Sequence, residues 1–176
     1  MVQATTRMRQ VVDWRAAMWA GVISGAAFLL VNLILTAVTL GSPWIVTRII
    51  ASIVLGSTVL PPPVSFEFGI FVVALLIHFA LALLFAGLLA IIIHRWGLVV
   101  GIVGGALFGL ALYLVNFYTF SYFFPWFFPF RSWMMVASHL IYGMLAGGVY
   151  ELLEVEMFVP VESRSSRLAT DDEECR

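Results

Sequence analysis

Apolar residues in this chain fall into four blocks, at residues 16–40, 68–93, 98–120 and 132–153, with charged side chains kept to their margins. About 20 apolar residues in helical form cross a bilayer core, and each block reaches that length. The pattern predicts an all-α membrane protein, a four-transmembrane-helix bundle. Residues 1–15 form an N-terminal segment, 16–155 the transmembrane domain and 156–176 a polar tail. In such a chain the solvent of the helices is lipid.

The stretch between the first two blocks is too long for a simple connector. Ser42 and Pro43 make a good helix start, with Ser as N-cap and Pro in the first turn, and Gly56 supplies a stop. A short interfacial helix is expected there, ended by Pro61-Pro62-Pro63 and acting as a packing lid. The second long connection, residues 117–130, holds ten aromatics in fourteen positions. Aromatic rings favour the headgroup layer, so this loop reads as an interfacial belt that offers a surface to lipid or to a partner.

Small residues recur at helical spacing. Gly21 and Gly25 lie on the first block, Gly97, Gly101, Gly105 and Gly109 on the third, and Gly143 and Gly147 on the fourth. In lipid little hydrophobic force draws helices together, so such stripes serve close backbone approach. The run Gly21 to Asn32 also matches Gly105 to Asn116 without gaps, with six identities in twelve. The second and fourth blocks share a looser pattern in which His78 and His139 each lead a series of small residues. The chain therefore reads as an internal repeat of two tandem helical hairpins, related by an axis along the membrane normal.

Polar residues at membrane depth are costly and usually face the interior. At 1.5 Å per residue, Asn32, His78 and His139 each lie about 10–15 Å below the loop end of their helices, with Asn116 shallower. The two asparagines follow stripe glycines by seven residues, which returns them to the same face. Asn32, His78, Asn116 and His139 are thus expected to converge on one buried polar cluster, a candidate ligand site, with Tyr113, Ser138 and Tyr142 as contributors. An interhelical hydrogen-bond network is the plainest use of such a cluster. A sharper one is a b-type haem with His78 and His139 as axial ligands, for which Arg48 and Arg131 are the only candidate propionate partners. His94, at the turn between the second and third blocks, reads as an interfacial anchor.

Composition narrows the function classes. Hydrophobic residues make up 62% and charged residues 11% of the chain, against about 25% charged in soluble domains, and the mean hydropathy is +1.06. A net charge of −1 leaves no basic footprint for nucleic acid. The single cysteine, Cys175, provides neither a disulfide framework nor a metal site. Arg7, Arg9, Asp13 and Arg15 precede a full-length apolar block, which reads as a signal-anchor rather than a cleaved signal. Arg15, Arg95, Arg164 and Arg167 against Arg48 and Arg131 place both termini in the cytoplasm by the positive-inside rule. Glu151, Glu154 and Glu156 then sit at the cytoplasmic end of the fourth block, where Arg95 and water are their expected partners, and the polar tail from Glu162 is expected to be mobile. Ion-coupled transport ordinarily uses buried acids, which are absent here, so a channel or transporter would require a homo-oligomer. No nucleophile–base pair, phosphate-cradling turn or paired carboxylate supports an enzyme.

One ordered set of short motifs carries a resemblance: Val12 to Ala17, Leu60 to Pro63, His78-Phe79, Leu110 to Tyr118, Phe124 to Phe127 and Ser138-His139. Over residues 11–155 the chain resembles a group of small uncharacterised four-helix bacterial inner-membrane proteins, some of which bear the label sodium:proline symporter. The resemblance implies the inner (plasma) membrane as location. It implies no site residue, and true symporters of that type are several times longer, with discontinuous helices and a defined sodium site. The resulting expectation is a non-enzymatic accessory or assembly protein in contact with lipid and with another membrane protein or further copies of itself.

Overall fold

A computed structural model describes residues 8–160. Four long helices form the body: α1 (Trp14–Leu40), α3 (Phe68–Ile93), α4 (Leu98–Leu114) and α5 (Trp133–Leu153), with the shorter α2 (Trp44–Leu55) between α1 and α3. The fold is an all-α four-helix bundle. Among the described residues one small sheet pairs β1 (Met8–Val11) antiparallel with β2 (Met157–Pro160), which the hydrophobic pattern does not predict. The polar tail from Glu162, Arg7, Arg164, Arg167 and Cys175 lie outside the described residues.

Helix ends follow local chemistry. The Asp13 carboxylate accepts from the backbone N–H groups of Arg15 and Ala16, at 2.9 and 3.1 Å, and starts α1. Gly41 ends α1 in the left-handed region at φ 77°, where a side chain would be strained. Ser42 acts one residue further out than expected: its hydroxyl accepts from Trp44 N and donates to Val64 O, while Pro43 occupies the N-cap without a side-chain bond.

The spans are apolar on every side, as helices in lipid are. Each buries less than half of its residues against the others, and Leu76, Val99 and Leu107 are each more than 60% exposed. With both faces apolar, the small-residue stripes decide which face packs. Gly21 and Gly25 of α1 lie against Ala86 and Ala82 of α3. A Cβ on Gly105 would fall on the Gly143 carbonyl, and one on Gly147 would fall on that of Gly101. The α4–α5 seam therefore brings backbone to backbone. Gly97 departs from its stripe: at φ 79° it forms the turn before α4, with nothing near where its side chain would be.

In cross-section the helices run α3, α1, α5, α4, with α1 and α5 central. Although the turn at 94–97 joins α3 to α4, these two touch each other only sparingly, which leaves a gap between them. At the terminal end, Tyr150 donates to Glu154 Oε1 (3.1 Å), Gln10 donates to the same oxygen (3.4 Å), and Val155 N donates to Asp13 (3.2 Å). Glu154 thus pairs with Tyr150 and Gln10 rather than with Arg95.

Candidate functional site

The gap between α3 and α4 contains a cavity of about 270 Å³ near the loop end of the bundle. All four clustered polar residues line it: Asn32 from α1, His78 from α3, Asn116 from beyond α4 and His139 from α5. Tyr142 also reaches the cavity, and its hydroxyl donates to Ala82 O at 2.7 Å. Ser138 lies behind the wall, buried, with its hydroxyl on Met134 O (2.9 Å) and Asn32 Oδ1 (3.4 Å). Tyr113 is buried against the edge of His139, with ring centroids 5.8 Å apart, and does not line the cavity.

Carbonyl partners fix the protonation pattern. His78 Nε2 lies 2.8 Å from Gly25 O across the α1–α3 seam. A carbonyl can only accept, so Nε2 carries the proton and Nδ1 is left as a lone pair. His139 Nδ1 lies 2.7 Å from Met135 O, so its Nε2 is bare and takes the Asn116 amide N–H at 3.3 Å. Asn32 is fully buried and donates to Phe28 O at 2.9 Å.

Phe28 is the ring that sequence reasoning missed. It stacks on His78 at 5.7 Å and meets His139 and Tyr142 edge-on at 4.9 and 5.9 Å. A signal was present: Phe28 precedes Asn32 by four residues and so shares its face. Beyond Leu114 the helix continues as a π turn over Val115–Thr119. Such turns are frequent at functional sites. The wider turn brings the adjacent Asn116 and Phe117 to the same side, and both line the cavity.

The aromatic loop divides its rings. Tyr122, Phe123 and Phe128 face outward, as a membrane-interface belt requires. Phe124, Phe127 and Phe130 turn inward and roof the cavity together with Ile49, Ile50 and Ile53 of α2, while Phe120 lines its rim and stays exposed. Trp126 Nε1 donates to Ser52 Oγ at 2.9 Å and so ties the loop to α2.

Axial ligation of one haem iron needs a free nitrogen from each histidine aimed at a common centre. Here His78 keeps a bare Nδ1, but the Asn116 amide covers the bare Nε2 of His139 and Phe28 packs against both rings, so the pair as folded does not present two free nitrogens to one open centre. The candidate propionate partners are also taken. Arg48 donates to Val59 O and Ser65 O and pairs with Glu67 at 3.7 Å. Arg131 donates to Phe117 O and Ser121 Oγ and lies 4.3 Å from the Tyr118 and Phe128 ring centres. Among the described residues no group of three or more His, Cys, Asp or Glu could hold a metal ion. Among the described residues the His94 ring bonds back to Ile91 O of its own helix.

Four helices of this length and apolarity make the chain a multi-pass membrane protein. Comparison with protein families, curated proteins and solved structures finds no match.

Proposed function

We propose that the protein is a non-enzymatic accessory component of the bacterial inner membrane that binds a lipid-soluble small molecule in the cavity between α3 and α4. One observation carries this reading: the cavity lies between α3 and α4, two spans that scarcely touch. Its wall residues Leu81 and Phe120 are both exposed, so in this reading a ligand enters between the two spans, from the acyl-chain region rather than from water. The remaining wall is almost wholly aliphatic and aromatic with a few convergent polar groups, as binding sites for small apolar ligands are.

In this reading both termini are cytoplasmic, and the cavity lies in the outer half of the membrane. The outward rings Tyr122, Phe123 and Phe128 sit at the outer headgroup layer. The two helix pairs are halves of a duplication: Gly25 meets Ala82 as Gly109 meets Gly143, and Gly21 meets Ala86 as Gly105 meets Gly147.

The test is saturable binding of a hydrocarbon-chain fluorescent probe by the protein in nanodiscs. Ile53→Trp, which adds bulk to the roof, should abolish saturation while leaving the melting temperature close to that of the parent. Probe uptake that rises linearly with lipid content, the same in both proteins, would refute the cavity as a binding site.

A further inference from the structure

Resting on that reading, the hydrogen-bond pattern of the wall points to the chemistry of the ligand's head. Both imidazole protons are spent on backbone carbonyls, Gly25 O for His78 and Met135 O for His139, so neither histidine offers an N–H to the cavity. With the Asn116 amide nitrogen directed to His139, His78 Nδ1 and Asn116 Oδ1 are two wall acceptors without a partner, and Tyr142, whose proton goes to Ala82 O, adds only a further acceptor. Against them stand only the second N–H groups of the Asn116 and Asn32 amides. Among the described residues no cationic side chain lines the cavity, and the nearby Arg48 and Arg131 guanidinium groups are engaged by their own loops.

An anionic head would meet no positive charge there and would face bare lone pairs, which in a medium of low polarity is strongly unfavourable. A carbonyl or ether head can only accept and would leave both lone pairs unpaired. A hydroxyl both donates and accepts, so it satisfies one lone pair and takes one amide N–H. We infer that the cavity selects a neutral lipid whose head is a hydroxyl, with the chain lying along Phe85, Leu81 and Leu112.

A matched pair of probes tests this without altering the protein. Hexadecanol and hexadecyl methyl ether should each displace the fluorescent hydrocarbon from the protein in nanodiscs, the alcohol about tenfold more effectively, as one added hydrogen bond implies. In Asn116→Leu, and separately in His78→Phe, the preference should shrink towards unity. A reduced and an oxidised short-chain quinone form a second pair, and the quinol should win by a similar factor. Whichever of hexadecanol and the quinol binds more tightly identifies the source of the hydroxyl. Equal displacement by alcohol and ether in the parent protein would overturn the head-group inference while leaving the cavity reading intact. Failure of every compound to displace the probe would overturn the cavity reading itself.

Discussion

His78 of α3 donates its Nε2 proton to the Gly25 carbonyl of α1, 2.8 Å away, at a point where a Cβ on Gly25 would press on Ala82. The bond and the close approach depend on each other. A side chain at 25 would push the helices apart, and without the imidazole the Gly25 carbonyl loses its added partner. His78→Phe keeps the ring volume and removes the bond. A stability loss on the order of 1 kcal/mol is expected, read as a lower melting temperature in detergent. An unchanged melting temperature would show that the bond contributes nothing.

The glycine seam can be tested with a neighbouring control. Gly105→Ala places a methyl on the Gly143 carbonyl, whereas Gly104→Ala meets only Ile93 Cγ2 at an ordinary 3.7 Å. Overpacking costs of roughly 1–3 kcal/mol are expected at Gly105, with little or no loss at Gly104. If the two alanines change stability equally, backbone contact at Gly105 does not control this seam.

Tyr142→Phe removes the hydroxyl that ties α5 to Ala82 O of α3. Interhelical hydrogen bonds in membranes average about 0.6 kcal/mol, so the loss should be small. Hydrogen exchange should nevertheless quicken around Ala82 and Ala86 before it does so in α4. Uniform acceleration along all helices would count against a local tie.

The terminal end should respond to acid. Burial works to raise the Asp13 pKa, but backbone N–H bonds from Ala16, Val155 and Arg15, with the Arg15 charge, outweigh it and hold the group below its usual value of 3.8. A depressed carboxylate contributes stability above its unfolded pKa and loses it as pH falls through the folded value. Glu154 behaves oppositely: burial raises its pKa above 4.5 despite the Tyr150 bond, so its contribution is largest when protonated and fades as pH climbs past that range. Melting temperature should therefore fall below about pH 4 in the parent, and Asp13→Ala should flatten that fall. The variant should also cost about 0.5–2 kcal/mol at neutral pH through the lost cap. An acid limb that persists unchanged in Asp13→Ala would assign it to other carboxylates.

The four spans were legible because crossing a bilayer requires a minimum apolar length, and that length is written directly in the residues. The packing seams were legible through glycine and alanine alone, since leucine on the lipid side and leucine on the protein side look alike in sequence. The same ambiguity hid Phe28, which nothing but its spacing from Asn32 distinguishes from its apolar neighbours. It also hid the inward turn of Phe124, Phe127 and Phe130, because an aromatic run suits a cavity roof and a headgroup layer equally well. Gly97 was assigned to a stripe by its spacing, but a glycine that continues a four-residue rhythm can equally be the left-handed residue that ends it. The β1–β2 pairing escaped notice because each strand is only four residues long and joins opposite ends of the chain.

That pairing has a mechanical consequence. It joins the first and last helices at the same end where the short turn at 94–97 joins the middle two. The far pole is closed by longer connections, clasped to each other where Trp126 donates to Ser52. If the molecule widens to admit a guest, α3 and α4 pivot about their short turn as the arms of a pair of tongs do, and that clasp must open as the jaws part.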